Sequence, residues 1–270
     1  MLTIYSEEFN SIHHFLNTIN NREVNKVYRE NSLSSEKGDS YFCMTKTYQE
    51  AEELLTKGWN EPIEKMKKST NNFKLSGKRE KNKITTDVVG YQACVPRAIL
   101  GLPDSMFNTR RVMHKVKTIT LIYDIGALAN VDIDDYVKAG VKVLNIINML
   151  ESKGLKVSLD INFGSYKNGE VVNARIKIKD FKDNLDLKKI AFTIAHPSML
   201  RRMFFRWMER HPKMQEQGFA WGYGQSLYAI SKSTKSEVLK KILKKDEYYF
   251  CYDDVYKSDV DDIIKNIEIA

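Results

Sequence analysis

The sequence is poor in residues that break a chain or staple it. Its 270 residues include 13 glycines, 5 prolines and 3 cysteines, which excludes a collagen-like repeat, a low-complexity chain and a disulfide-stapled scaffold. The cysteines, Cys43, Cys94 and Cys251, lie far apart and form no C-x-x-C pair, and aromatic residues such as Phe42 and Phe250 stand beside them. Thiols in that setting read as packing residues in a reducing compartment. No run of about 18 apolar residues occurs, which argues against a spanning helix. The stretch Met1 to Asn10 lacks the basic start and apolar centre of a secretory signal. The expected location is the cytoplasm.

Catalytic signatures are missing as well. There is no G-x-S-x-G elbow, no G-x-x-x-x-G-K-[ST] phosphate loop and no G-x-G-x-x-G after a strand. The histidines, His13, His14, His114, His196 and His211, have no H-x-x-x-H spacing, which argues against a zinc enzyme. His196 precedes Pro197 and a helical pattern; it reads as a hydrogen-bond partner of the helix start, with acid–base catalysis as the alternative. Gly222-Tyr223-Gly224 is too short to cradle a phosphate and reads as an aromatic-glycine loop on the core. Asp124 and Asp253 each close a strand-like run. Carboxylates meeting at one sheet edge would offer hard oxygen ligands to magnesium or calcium, although aspartate after a strand is also an ordinary turn residue. Asp132, Asp134 and Asp135 open a long helix and complement its dipole. No cofactor follows from any of this.

What the chain does have is 42% hydrophobic residues, 11% of all residues being aromatic, enough for a sizeable core. Its charge of +8 is uneven. Between Lys65 and Lys83 eight cations stand against the single acid Glu80, so the rest of the chain is close to neutral. Serines, threonines and asparagines accompany these lysines, so the segment reads as a solvated linker, with contact to nucleic acid or to an acidic protein surface as alternatives.

Apolar spacing predicts a small helical N-terminal region over 1–64, with stripes at Phe9 to Ile19 and Tyr48 to Leu55, a short strand at Tyr41 to Met44, and Gly58 as a helix stop. The basic linker, 65–83, separates it from an α/β domain over 84–270. There the texture turns β-rich at Val88, Val89 and Tyr91. Strands then follow at 118–124, 157–163, 171–179 and 247–252, with a hairpin turn at Tyr166 to Gly169 and helices at 133–153, 187–195, 198–210 and 258–267. The expected fold is α/β: a mostly parallel central sheet with an antiparallel hairpin edge and helices on both faces. The segment Ser198 to Arg210 is the most unusual, with Leu200, Met203, Phe204, Trp207 and Met208 on one face and Arg202, Arg206, Glu209 and Arg210 on the other. Its arginines, with Arg110 and Arg111, are candidates for gripping a carboxylate, a phosphate or a partner.

The stretches 51–59 (AEELLTKGW), 87–106 (DVVGYQACVPRAILGLPDSM) and 195–205 (AHPSMLRRMFF) give the chain a resemblance to a family of uncharacterised proteins encoded largely by bacteriophages. The run Asp124-Ile-Gly126-Ala-Leu128 is similar to the D-x-S-x-S that ends the first strand of von Willebrand factor A type domains, with both serines missing. That likeness implies a scaffold without its metal, suited to presenting a binding surface.

The reading is therefore a protein that acts by contact rather than turnover. It is an accessory protein that binds a host or viral assembly, with inhibition of a defence system as the resemblance's implied role; Arg202, Arg206, Arg210 and Trp207 are its anchors. Two alternatives stand beside it: nucleic-acid binding through Lys67, Lys68, Lys78, Arg79 and Lys81, and a divalent-metal phosphohydrolase built on Asp124 and Asp253.

Overall fold

The computed structural model describes residues 2–23, 30–60, 83–110, 117–127, 131–216, 225–227 and 229–269. The chain opens with strand β1 (Thr3–Phe9) and helix α1 (Ile12–Asn21), whose Ser11 cap accepts from the His14 amide at 3.1 Å. A single 3-10 turn at Asn31–Leu33 leads to α2 (Lys37–Cys43) and α3 (Tyr48–Lys57). The strand expected at Tyr41 to Met44 is instead the last turn of α2. Met44 ends that turn in the left-handed region (φ 61°), and so short an apolar run does not distinguish the two states. Gly58 stops α3 with a positive φ, as its sequence position predicts.

Three short strands follow, β2 (Lys83–Asp87), β3 (Gln92–Ala93) and β4 (Met106–Arg110), with α4 (Val95–Ile99) between the last two. Then come β5 (Thr118–Asp124), α5 (Ile133–Ser152), β6 (Lys156–Lys167) and β7 (Glu170–Lys179). The β6–β7 turn rests on Asn168 and Gly169, both at positive φ, the geometry that suits a two-residue hairpin loop. Helix α6 (Leu187–Ala195) leads into a π-helical stretch, Met199–Phe204, continued by α7 (Phe205–Glu209) and α8 (Pro212–Glu216). The remainder is β8 (Gln225–Ser226), α9 (Lys232–Ile242), β9 (Glu247–Cys251), α10 (Tyr252–Lys257) and α11 (Val260–Ile269). The terminal helix expected over 258–267 is found two residues later as α11, and Ser258, expected as its amino-terminal cap, instead caps the carboxyl end of the short helix α10 before it.

The main sheet has the order β1-β7-β6-β5-β9, and β8 pairs with β6. All of its neighbours on that path are parallel except the β6–β7 hairpin, so the expected α/β class holds. The hairpin lies toward one edge, with β1 added outside it in full register from Thr3 to Phe9. A strand absent from the sequence reading thereby ties the N-terminal region into the sheet.

Period-two alternation divides the sheet into two unlike faces. Val157, Leu159, Ile161 and Phe163 of β6 join Ile119, Leu121 and Tyr123 of β5 and Val172, Ala174 and Ile176 of β7 in the large core, beneath α5, α6 and the π-helical stretch. Phe15, Ile19, Leu55 and Trp59 from the N-terminal region belong to that same core. Each such side chain contributes about 2 kcal/mol by leaving water. The opposite face is polar between the strands: Asp124, Ser158, Asp160, Asn162, Asn173 and Arg175 are all buried there. A small apolar cluster, Val171, Leu227, Ile230 and Val238, seats α9 on that side.

Candidate interaction surface

The arginines expected to face a partner face inward. Arg202 is fully buried: its guanidinium donates to the Ser32 and Ser34 carbonyls at 2.8 and 3.0 Å and to Thr45 Oγ1 and O at 2.7 and 2.8 Å. Arg206, also buried, pairs with Glu30 at 2.8 Å. Trp207 is fully buried and donates its indole N–H to Glu7 of β1 at 2.8 Å. Arg210 gathers the carbonyls of Ile19, Asn20 and Arg22 at the end of α1, where a cation complements unpaired C=O groups. The four expected anchors therefore hold the N-terminal region to the sheet domain. Charge on one helix face looks like a solvated surface in sequence, but here the opposing backbone carbonyls supply the solvation.

His196 is buried between the Trp59 and Phe192 rings, each 4.6 Å away, and its Nδ1 accepts the Ser198 amide at 3.0 Å. Burial pushes its pKa down to about 3, so it is a neutral packing residue holding a helix start, not an acid–base group at neutral pH. Asp124 is buried at the carboxyl end of β5, and three donors reach it: the Gly126 amide at 2.8 Å, Asn162 Nδ2 at 2.9 Å and Tyr249 OH at 2.8 Å. Burial raises its pKa against the pull of those donors. Asp253 is only half-buried and pairs with Lys257 at 2.8 Å, within the first turn of α10. The two aspartates thus have separate partners. Among the described residues no group of three or more His, Cys, Asp or Glu side chains is arranged to hold a metal ion. Gly126 stands where a D-x-S-x-S motif has its first serine, and a Cβ there would lie 2.3 Å from Ser226 Oγ, so a serine at 126 requires Ser226 to move.

Lys67, Lys68, Lys78, Arg79 and Lys81, with Arg111 and Gly222 to Gly224, lie outside the described residues. Immediately after the basic run, however, the structure places a feature that the sequence reading noted only as β-rich. The strands β2, β4 and β3 form a separate antiparallel sheet in that order. None of residues 84–109 is buried. Eight large apolar side chains of this segment are exposed: Ile84, Val88, Val89, Tyr91, Val95, Ile99, Leu100 and Leu102, with Ile99 at 80% and Val89 at 75%.

Polar contacts, not a core, shape this small sheet. Asp87 accepts the Val88 amide at 2.8 Å, and the Tyr91 and Cys94 amides donate to Phe107 O and Ser105 O at 2.9 and 2.7 Å. Gly90 lets the turn lie against β4, because a Cβ there would sit 2.1 Å from Phe107 O. Pro96 preorganises the first turn of α4. Arg97 locks the loop to Asp104, its guanidinium 2.5 Å from both carboxylate oxygens and its Nε 3.0 Å from the Asp104 carbonyl. That pairing raises the Arg97 pKa and lowers that of Asp104. The signal was present in sequence as Val88-Val89, Tyr91, Ile99-Leu100 and Leu102; what periodicity withheld was that these side chains stand exposed rather than packed into a core.

No curated protein and no solved structure matches the chain. A family match does span it from residue 2 to 270. The chain belongs to the DUF7192 family, a domain of unknown function.

Proposed function

We propose that this protein acts without catalysis, by docking residues 84–102 onto a partner protein. The observation that supports this reading is the small sheet itself: eight large apolar side chains exposed on a segment in which no residue is buried. Monomeric surfaces rarely keep such apolar groups together unless something binds them, and a sheet of this size without a packed face is marginal by itself. Its polar pins hold the apolar groups in a fixed display, which lowers the ordering cost of association. The lysine-rich run that leads directly into β2 selects a partner whose apolar patch is rimmed by acids. Following the bacteriophage resemblance, the partner is a host or viral assembly and the protein an accessory factor that occupies it, as an inhibitor of host defence would.

The test is affinity purification from the cells in which the protein works, with nuclease treatment in parallel, comparing wild type with a Val89→Asp/Ile99→Asp variant. Both positions are exposed, so the variant keeps its fold. Proteins retained through nuclease by the wild type and lost by the variant support the proposal. Retention lost to nuclease points to nucleic acid instead, and equal retention by both proteins refutes the role of this surface.

A further inference from the structure

Helix α9 carries a second, unrelated surface. It lies against the polar face of the sheet and seats itself through Val238, with Ile242 packed beside it. One residue further round the helix, Leu239 and Leu243 stay half-exposed, and with Lys232, Lys235, Ser236 and Lys240 they line an open, shallow groove of about 360 Å³ along the side of α9 itself. From Lys232 to Lys245 six lysines stand against the single acid Glu237. Several are already engaged: Lys241 with Glu237 at 3.4 Å, Lys244 with Glu8 at 3.1 Å and Lys235 with Asp254 at 3.7 Å. Lys232 and Lys240 make no ion pair among the described residues. Eight residues apart on one helix, their backbones are separated by about 12 Å along its axis, with Lys232 about two turns before Leu239 and Lys240 next to it, ahead of Leu243.

We propose that this groove binds a short acidic, leucine-containing segment of a protein. The two leucines offer an apolar strip for side chains spaced at one helical turn, which suits an amphipathic helix laid alongside α9. The two unpaired ammonium groups call for carboxylates toward one end of those side chains, over the amino-terminal part of α9, and such charges set orientation and reject basic segments. A nucleic-acid strand fits less well, because base-stacking platforms need aromatic rings and this lining has none. The site is independent of the 84–102 surface.

The test is fluorescence anisotropy on the full chain. The probe is a labelled peptide of about ten glutamate and leucine residues, with the leucines at i, i+3 and i+4, and an oligothymidine of similar length is run in parallel. The expected result is saturable peptide binding that weakens by about tenfold in Lys232→Glu/Lys240→Glu and by a similar factor in Leu239→Ser. Circular dichroism confirms that these surface variants keep their helix content. Three results overturn the proposal: no saturable binding, peptide binding untouched by the lysine variant, and wild-type affinity in Leu239→Ser, which would reduce the pull to charge alone. Oligothymidine that displaces the peptide and is lost in the same variants also overturns it, in favour of a nucleic-acid site.

Discussion

At the scale of the residue, buried charges with backbone partners determine how the N-terminal region is held. Arg202 satisfies three carbonyl oxygens and one hydroxyl from the stretch Ser32 to Thr45. In Arg202→Met those acceptors lose their donors while the side chain's bulk is kept. We expect a loss of about 3 kcal/mol in urea unfolding, with faster amide exchange concentrated in residues 30–60. Two titrating groups contribute to the acid limit. Burial holds His196 neutral in the fold, at about 3 against an ordinary 6.5, so the unfolded chain takes up this proton first. That penalty is absent above pH 6.5 and grows as pH falls toward 3, by about 1.4 kcal/mol per pH unit. Glu7 is held down at about 2, burial being outweighed by hydrogen bonds from His211, Trp207 and Arg22; its contribution is present above 4.5 and is lost as pH falls through 2. The expected outcome is a steady drop of the unfolding midpoint below pH 6.5. His196→Asn keeps an acceptor for the Ser198 amide and does not titrate, so it should flatten the curve between 6.5 and 4.5. An unchanged curve in that variant would place the acid sensitivity elsewhere. The partnership of His196 with the helix start was legible in sequence because it is local; those of Arg202 were not, because Arg202 and its acceptors stand more than 150 residues apart and no local pattern links them.

At the scale of the element, legibility followed periodicity. The apolar stripe of α5 and the β-branched run of β5 announce themselves, since one face or nearly every side chain is buried. Strand β1 does not, because Glu7 shares a face with Tyr5 and Phe9 and is half-buried, accepting from Trp207, which breaks the alternation. The helix α9 was hidden by its lysines, as it buries only Val238. The small sheet of β2, β4 and β3 was half-legible: its β-forming residues stand out, but their exposure does not. Gly90 is its most sensitive position. Gly90→Ala forces a Cβ onto the Phe107 carbonyl, so we expect faster amide exchange across residues 83–110 with little change in the unfolding midpoint of the whole protein. A large loss of global stability would show instead that this sheet supports the main fold.

At the scale of the whole molecule, a well-filled α/β core carries a small sheet that has no core of its own. Among the described residues no helix is long and apolar enough to cross a membrane. The reactive side chains singled out in sequence, His196 and Asp124, are committed to internal hydrogen bonds. The arginine helix is occupied by internal contacts, and the docking surface we propose is instead the display that follows the basic run. The most direct measurement is hydrogen exchange of the protein alone and in its nuclease-treated complex. The account expects amides within residues 84–102 to gain protection on binding while those of β5 and β6 stay unchanged; a complex in which 84–102 exchanges as fast as in the free protein would contradict it.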